Sequence, residues 1–266
     1  MERITIIEFE IEGKAEPRLE LNKIYNEDCL EGMKRIPDKS VDMILCDLPY
    51  GTTACAWDTI IPFEPLWEQY ERVIKDNGGI VLTASQPFTS ALVMSNPELF
   101  KHEWIWNKKI GSNFLQSKKH PMKIHESILV FGKGSKYYPI MTKGKMRWKG
   151  SEKAYDDGGV LGSYQKTKSK NDLYYPKSII EISNASKKNK IHPTQKPIEL
   201  FEYLIKTYTN KNETVLDNCM GSGTTAIACM NTERNFIGFE LDGTYYGKSL
   251  ERIKNHTTQT ELFDYL

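Results

Sequence analysis

The sequence lacks a long hydrophobic run: none of its stretches reaches the roughly eighteen consecutive apolar residues of a transmembrane helix. The N-terminus also lacks the pattern of a secretory signal peptide, so we expect a cytoplasmic protein without a membrane partner. Cysteine is scarce, and its five residues form neither a CxxC pair nor a Cys/His cluster with metal spacing, which argues against disulfides and structural zinc. They are Cys29, Cys46, Cys55, Cys219 and Cys229.

Net charge is also nearly absent, at +1, but that balance hides an asymmetry. Residues 133–196 hold fifteen Lys and Arg against five Asp and Glu, whereas the rest of the chain holds 21 basic and 30 acidic residues. Tyrosine and tryptophan are interleaved with these cations, a combination that suits base stacking and phosphate contact. The charge alone favours a nucleic-acid surface and a solvated lysine-rich loop equally. We interpret the region as a small irregular subdomain.

The sequence does contain a short apolar run, Val41–Cys46, that ends abruptly in Asp47, Leu48, Pro49 and Tyr50. An apolar run of this length bounded by turn residues predicts a buried strand of a parallel sheet. Open α/β sheets bind ligands at the carboxyl ends of their strands, so Asp47 and Tyr50 are candidate active-site residues. Two structural roles compete with this interpretation, namely Asp47 as the N-cap of a helix and Tyr50 as a core aromatic residue.

Strand and helix patterns alternate on both sides of this run, which predicts a mostly parallel sheet covered on both faces. One amphipathic helix is predicted from apolar residues spaced between Leu66 and Ile74, with its end at Asn77 and Gly78. Alternating polar and apolar residues near the N-terminus predict a hairpin within residues 1–21.

A second strand-turn-helix unit lies near the C-terminus, where a buried strand ends at Asp217, Gly221 and Gly223 follow, and a helix starts at about Thr224. Glycine lets the backbone approach a ligand closely, and a helix N-terminus offers unpaired N–H groups. Glu240 ends the next strand, near the spacing at which a carboxylate reaches ribose hydroxyls. This pattern favours an adenosine-containing cofactor. It leaves NAD and S-adenosylmethionine open, although NAD normally requires the fuller GxGxxG turn.

Three segments of the chain resemble motifs of the amino-group DNA methyltransferases. Residues 47–50 (DLPY) resemble the DPPY catalytic motif, and residues 217–225 (DNCMGSGTT) resemble the cofactor motif DPFxGSGTT. Residues 192–197 (HPTQKP) resemble the segment that precedes the cofactor motif. The catalytic motif comes first, then a basic region and then the cofactor motif, which is the order of the β-class enzymes.

The resemblance covers nearly the whole chain, from about Lys23 to Gly247, and departs from the family at three positions. Leu48 replaces a proline whose backbone carbonyl the family uses, and leucine retains that carbonyl. Asn218 and Cys219 replace a proline and a phenylalanine in the wall of the cofactor site.

The resemblance implies an α/β fold, specifically the Rossmann-like S-adenosylmethionine-dependent methyltransferase fold. Its sheet is seven-stranded, mostly parallel with one antiparallel strand, and circularly rearranged, with an inserted recognition region. Three parts are implied: residues 1–132 hold the N-terminal hairpin and the catalytic half, residues 133–190 the target recognition region, and residues 191–266 the cofactor-binding half and a C-terminal tail.

The resemblance also implies the site. The implied catalytic residues are Asp47, Leu48, Pro49 and Tyr50, and no metal is required. The implied cofactor-binding residues are Asp28, Thr194, Lys196, Asp217, Gly221, Gly223, Thr224 and Glu240. Within that set, Asp217, Gly221 and Gly223 line the methionine part of S-adenosylmethionine and Glu240 its ribose. Asp28 contacts its adenine, and Thr194 and Lys196 contact its carboxylate.

The implied activity is site-specific methylation of DNA, as in restriction-modification systems, with the methyl group of S-adenosylmethionine passing to N6 of a flipped adenine. Cytosine N4 is the first competing target, because both bases present an amine beside a ring acceptor. The aspartate that begins the catalytic motif favours adenine in the β class. Two further candidates are a catalytically silent DNA-binding protein of the same fold and a dinucleotide oxidoreductase.

Double-stranded DNA is the implied partner, and the family suggests a homodimer. The tail Gln259–Phe263 resembles the QxxLF peptides that dock bacterial sliding clamps. Packing of Leu262 and Phe263 against their own domain is favoured over docking, because such short motifs are common by chance.

Overall fold

The computed structural model describes residues 19–53, 55, 58–134, 136–150, 167–184, 191 and 195–264, with side chains described as far as residue 258. The described residues form ten strands and six α-helices. The strands are β1 (Lys23–Tyr25), β2 (Val41–Cys46), β3 (Ile74–Ala84), β4 (Phe100–Ser112), β5 (Lys123–Phe131), β6 (Thr142–Lys149), β7 (Ser169–Tyr174), β8 (Ile179–Glu181), β9 (Thr214–Asp217) and β10 (Asn235–Phe239). The helices are α1 (Cys29–Met33), α2 (Phe63–Val73), α3 (Phe88–Ser95), α4 (Ile198–Tyr208), α5 (Thr224–Asn231) and α6 (Gly243–Asp264).

Eight strands form the central sheet in the order β1-β10-β9-β2-β3-β5-β4-β8. Strand β5 is antiparallel to β3 and β4, and the other neighbouring strands of the sheet are parallel. The predicted mostly parallel sheet with one antiparallel strand is therefore confirmed. The count is eight rather than seven, because β8 from the inserted region pairs with β4 at the sheet edge.

Strand β2 is buried along its whole length, because helices cover both faces of the sheet. Ile44 and Cys46 point into a core formed with α1, α2 and α3. Met43 and Leu45 point to the opposite face, into a core formed with α4 and α5. A run that is apolar at every position except Asp42 suits a strand covered on both faces, and it places Asp47 at the sheet edge where β2 ends.

Helix α2 ends at Val73, so the prediction that Asn77 and Gly78 end this helix is wrong. Both lie within β3, which starts at Ile74 and pairs with Val41 of β2. A β-branched apolar residue fits the end of an amphipathic helix and the start of a buried strand equally well. A Cβ atom at position 78 would lie 2.8 Å from the carbonyl oxygen of Asp42, so glycine is needed here for close approach of backbones.

The inserted region is more regular than predicted. Strands β6 and β7 pair antiparallel as a separate two-stranded ribbon, and most of its residues are exposed. The predicted N-terminal hairpin falls almost wholly on residues 1–18, outside the described residues. None of the helices in the described part of the chain is long and apolar enough to cross a membrane.

Candidate active site

A cavity of about 770 Å³ opens where β2 and β9 end, a volume typical of small-molecule sites. It brings together predicted site residues from four distant segments of the chain. Those that line it are Asp28, Asp47, Leu48, Pro49, Tyr50, Lys196, Asp217, Gly221, Thr224 and Glu240. Thr194 lies outside the described residues.

Two hydroxyl groups hold the carboxylate of Asp47 at one end of the cavity. Its Oδ1 accepts hydrogen bonds from Tyr50 Oη at 2.9 Å and from Thr83 Oγ1, near the end of β3. Burial and the nearby Asp47 carboxylate raise the pKa of Tyr50, so the phenol keeps its proton and remains a donor. The tyrosine ring stacks on Phe88 with 5.3 Å between ring centroids. Among the described helices none begins at Asp47, so its carboxylate caps none of them.

Lys196 lies between two carboxylates. Its Nζ is 2.5 Å from Oδ2 of Asp47 and 3.5 Å from Oε2 of Glu126. Oε1 of Glu126 in turn lies 3.1 Å from Nζ of Lys108. Burial would lower the pKa of Lys196, but the carboxylates of Asp47 and Glu126 outweigh it and raise that pKa, so Lys196 is charged at neutral pH. The result is a buried row of alternating charges beside the cavity.

The other end of the cavity is built from the glycine turn and from Glu240. The N–H of Gly221 donates to Oε2 of Glu240 at 2.7 Å, and the N–H of Asp242 donates to Oε1 at 2.9 Å. Burial raises the pKa of Glu240, against the effect of these N–H groups. A carboxylate oxygen with one such bond keeps a lone pair for another donor, such as a ribose hydroxyl.

Gly223 is not among the residues that line the cavity, and its contact with the cofactor stays a prediction. It has φ +74° and turns the chain into α5. Nη1 of Arg252 donates to the carbonyl oxygen of Ser222 at 2.8 Å and to Oγ1 of Thr224 at 3.1 Å. Helix α6 therefore holds the glycine turn in place through Arg252.

Asp217 is 2% exposed and is held by two donors. The N–H of Cys219 donates to its Oδ1 at 3.0 Å, and the hydroxyl of Thr225 donates to its Oδ2. Burial nevertheless raises the pKa of Asp217 to about 7. A cationic ligand beside this group would favour its ionised form, because opposite charges stabilise each other most where water is excluded.

Asp28 caps helix α1, with its Oδ1 accepting from the N–H of Leu30 at 2.8 Å, while it also lines the cavity. Asn218, which replaces the family's proline, is buried, and its Oδ1 accepts from Tyr70 Oη at 2.6 Å. The amide of Asn218 lies 3.6 Å from the sulfur of Cys29. The substitution at position 218 is therefore accommodated by a specific hydrogen bond.

Sequence reasoning missed three groups of this site: Thr83, Glu126 and Arg252. Thr83 lies near the end of β3, and Glu126 lies in the first half of the antiparallel strand β5, so both reach the sheet edge where β2 ends at Asp47. A polar residue at that edge was the available signal. Arg252 lies on α6, far along the sequence from the turn that it holds, and no motif marks it. Among the described residues, no group of three or more His, Cys, Asp and Glu has the arrangement of a metal site.

The sequence profile of the N6/N4 DNA methylases matches residues 41–251. The chain belongs to this DNA methylase family. The type II methyltransferase M1.MboII of Moraxella bovis is 26% identical to it, over 87% of this chain and 96% of the relative. The DNA adenine methyltransferase YhdJ of Escherichia coli (strain K12) is 28% identical, over 91% of this chain and 87% of the relative.

Solved structures of DNA methylases have the same fold. The crystal structure of the M1.HpyAVI–SAM complex is 27% identical, with a TM-score of 0.59 over 86% of this chain and 98% of that chain. The cytosine-N4-specific PvuII DNA methyltransferase has a TM-score of 0.61 over 91% of this chain and 93% of that chain. Its identity is 16%, so that likeness concerns the fold of the DNA methylase alone.

Proposed function

We propose that this DNA methylase transfers the methyl group of S-adenosylmethionine to N6 of adenine in a specific DNA sequence, after the base has been flipped out of the duplex. The observation that carries the proposal is the placement of Asp47 in the same cavity as Asp217 and Glu240. An acceptor for an amine therefore lies within one cavity with the carboxylates suited to a cationic nucleoside cofactor.

The residues present fit S-adenosylmethionine. Asp217 and Glu240 supply negative charge for a ligand that carries a sulfonium and an ammonium group, and the Glu240 carboxylate can accept from ribose hydroxyls. Asp28 also lines the cavity and is the proposed contact of the adenine. The cofactor supplies an electrophilic methyl group, so the protein needs no metal for this reaction.

Asp47 and the carbonyl of Leu48 accept hydrogen bonds from the two N–H bonds of the target amine. The lone pair of that nitrogen is delocalised into the ring, and two acceptors below it favour a pyramidal nitrogen that can attack. Bound S-adenosylmethionine would supply the methyl group, with its carbon–sulfur bond breaking as the carbon–nitrogen bond forms, and Asp47 would accept the proton that the nitrogen loses and pass it to water. Such a transfer depends mainly on alignment, for which a preorganised site supplies up to ~7–11 kcal/mol.

Tyr50 offers the flipped base a ring to stack on. Its hydroxyl is fixed by Asp47 and Thr83, and its ring rests on Phe88, so the ring is preorganised. Extrusion of a base costs a few kcal/mol, and stacking on one aromatic ring returns roughly 1–3 kcal/mol.

Adenine is preferred over cytosine for two reasons. The catalytic motif begins with Asp47, and β-class enzymes that begin this motif with aspartate more often methylate adenine. YhdJ, a relative spanning most of the chain, is named an adenine methyltransferase. Methylation of cytosine N4 is the second candidate, because the same two acceptors serve either amine.

The ribbon of β6 and β7 is the proposed DNA-reading surface of the inserted region. Trp148 is exposed on it, with Nζ of Lys168 at 5.1 Å and Nζ of Lys170 at 5.8 Å from its ring. Exposed aromatic rings among cations suit contact with bases and phosphates. The boundaries of this region at residues 133 and 190 stay a prediction.

The proposal is tested by expressing the protein in cells that lack DNA methylation and mapping modified bases in their DNA at single-base resolution. We expect one short sequence to carry N6-methyladenine, and Asp47→Ala to abolish the modification while S-adenosylmethionine still binds. N4-methylcytosine at one sequence would select the second candidate. Unmodified DNA from cells containing folded wild-type protein would contradict both.

Two partners predicted from the sequence remain predictions. The main chain of Gln259–Phe263 lies in α6, and its side chains are outside the described residues. A clamp pull-down that is unaffected by Leu262→Ala and Phe263→Ala would dismiss the docking peptide. Sedimentation of the purified protein tests the homodimer.

A further inference from the structure

The hairpin between β4 and β5 presents two bare apolar side chains. Phe114 is 69% exposed and Leu115 is 85% exposed. Asn113, with φ +64°, turns the chain into a 3-10 helix, Phe114–Gln116. The turn is closed by the N–H of Ser117, which donates to the carbonyl oxygen of Phe114 at 3.1 Å. The hairpin tip is therefore an ordered turn that holds both side chains in solvent.

The base of the same hairpin belongs to the active site. Lys108 and Ser112 line the cavity. The hydroxyl of Ser112 donates to the carbonyl oxygen of Lys123 at 3.0 Å, and Nζ of Lys123 donates to the hydroxyl of Ser85, just after β3. The hairpin therefore rises from the sheet edge that carries Asp47, beside the cavity.

The hairpin's own charged side chains are of one sign, although Lys108 and Lys109 at its base pair with Glu126 and Glu181. Residues 108–125 contain no Asp or Glu, and their lysines are Lys108, Lys109, Lys118, Lys119 and Lys123. Lys118 and Lys119 are exposed and lie just beyond the apolar pair. Cations that flank an exposed apolar pair match a polyanion that has an apolar interior, which describes a DNA duplex with its stacked bases.

Phe114 and Leu115 are adjacent, largely exposed apolar side chains on an ordered turn, and such a pair beside a ligand cavity is a candidate contact surface. A flipped nucleotide leaves a gap in the stack, and its loss of stacking costs a few kcal/mol. Proteins that kink DNA insert Phe, Leu, Ile or Met side chains between bases to recover part of such a cost. The tip has these side chains, and it stands next to the cavity that receives the base.

We propose that Phe114 and Leu115 enter the base stack of the bound duplex and fill the space vacated by the flipped base, while Lys118 and Lys119 contact the flanking phosphates. The inference rests on the proposed function and adds to it the element that stabilises the open duplex.

The test compares two duplexes of the mapped methylation sequence. In one the target base is paired normally, and in the other it faces an abasic position and leaves the stack easily. The double variant Phe114→Ala/Leu115→Ala is expected to lower kcat/KM on the paired duplex by about tenfold or more, because a few kcal/mol of flipping cost is no longer offset. On the abasic duplex we expect a fall of less than about threefold.

The matched control is Met94→Ala, which removes a side chain that is 72% exposed near the end of α3. We expect it to leave kcat/KM unchanged on both duplexes. A fluorescent adenine analogue at the target position gives a second readout: the double variant should lose the rise in fluorescence that follows unstacking, and Phe114→Trp with Leu115 intact should retain it.

Equal falls in kcat/KM on both duplexes, or no fall on either, would overturn the proposal that Phe114 and Leu115 enter the base stack. A change in sedimentation of the double variant without DNA would also overturn it, because the tip would then be a contact between two copies of the chain. These outcomes differ from a failure of the proposed function, in which the wild-type protein methylates neither duplex.

Discussion

Nζ of Lys196 and Oδ2 of Asp47 lie 2.5 Å apart, although 149 residues of sequence separate them. The contact joins the catalytic motif to the segment that precedes the cofactor motif. It gives Lys196 a role in the catalytic half of the cavity, next to the cofactor-carboxylate contact that the sequence predicts. The two roles affect different kinetic constants.

We expect Lys196→Met to lower kcat by about tenfold or more, because a hydrogen bond to a charged group is worth about 1.5–3 kcal/mol. The KM for S-adenosylmethionine should change little if Asp47 is the main partner. Steady-state kinetics with each substrate varied measures both constants. Lys206→Met, on the exposed side of α4, is the control. A higher KM at unchanged kcat would favour the cofactor carboxylate as the partner instead.

Thr83→Val removes the hydroxyl that donates to Asp47 while keeping the shape of the side chain. We expect kcat to fall by about tenfold, since the lost donor served a carboxylate, and Thr83→Ser to restore most of it. Single-turnover methylation of the mapped sequence measures the change. Equal losses in both variants would show that Thr83 acts through packing.

The pKa of about 7 at Asp217 predicts that cofactor affinity depends on pH. A cationic cofactor favours the ionised carboxyl, so S-adenosylmethionine should bind more tightly as pH rises through 7 and level off above it. Calorimetric titrations from about pH 5.5 to about pH 8.5 measure the trend. In Asp217→Asn this rise should disappear. A flat profile in the wild-type protein would contradict the assignment of Asp217.

The raised pKa of Asp217 also makes the stability of the cofactor-free protein depend on pH. The folded state holds a proton on Asp217 at a pH where the unfolded chain has released it, so the free energy of unfolding should fall as pH rises from about 4 to about 7. Asp217→Asn should flatten this part of the profile. Urea unfolding at several pH values measures the slope, and a steeper fall in the variant would contradict the prediction.

Gly223→Ala should destabilise the fold by about 1–2 kcal/mol, because alanine is strained at φ +74°. Its Cβ would also lie 3.3 Å from that of Ser249. Gly247 in α6 is the matched control, since a Cβ there meets nothing within 4 Å. Gly247→Ala should be neutral or stabilising by up to ~1 kcal/mol. Urea unfolding of both variants measures the difference, which would vanish if backbone strain at position 223 were absent.

The parts of the fold that can be predicted from the sequence are those where local pattern and tertiary environment agree. Val41–Cys46 is apolar in all but one position and is buried throughout, and Asp47 follows where the strand ends. The glycine turn and Thr224 likewise start α5 at the predicted place. These features depend on neighbouring residues, so a single sequence contains the information for them.

The parts that cannot be predicted in this way depend on partners far away in the chain. Ile74 fits a helix or a strand, and only its pairing with Val41 decides between them. Thr83 and Glu126 reach Asp47 and Lys196 through sheet order, which the sequence alone does not specify residue by residue. The positive φ of Gly223, which turns the chain into α5, likewise follows from the three-dimensional path of the chain.

Strand β2 lies between β3, which follows it closely in sequence, and β9, which comes much later. The N–H of Thr214 donates to Oδ2 of Asp42 across 172 residues, so this edge of β2 acquires its partner only after most of the chain has been synthesised. Contacts of such long sequence separation slow folding, and an unpaired apolar edge invites association with other chains. A ribosome paused before Thr214 would thus expose the strand that ends in the catalytic motif, and we expect chaperone dependence during synthesis to be concentrated there.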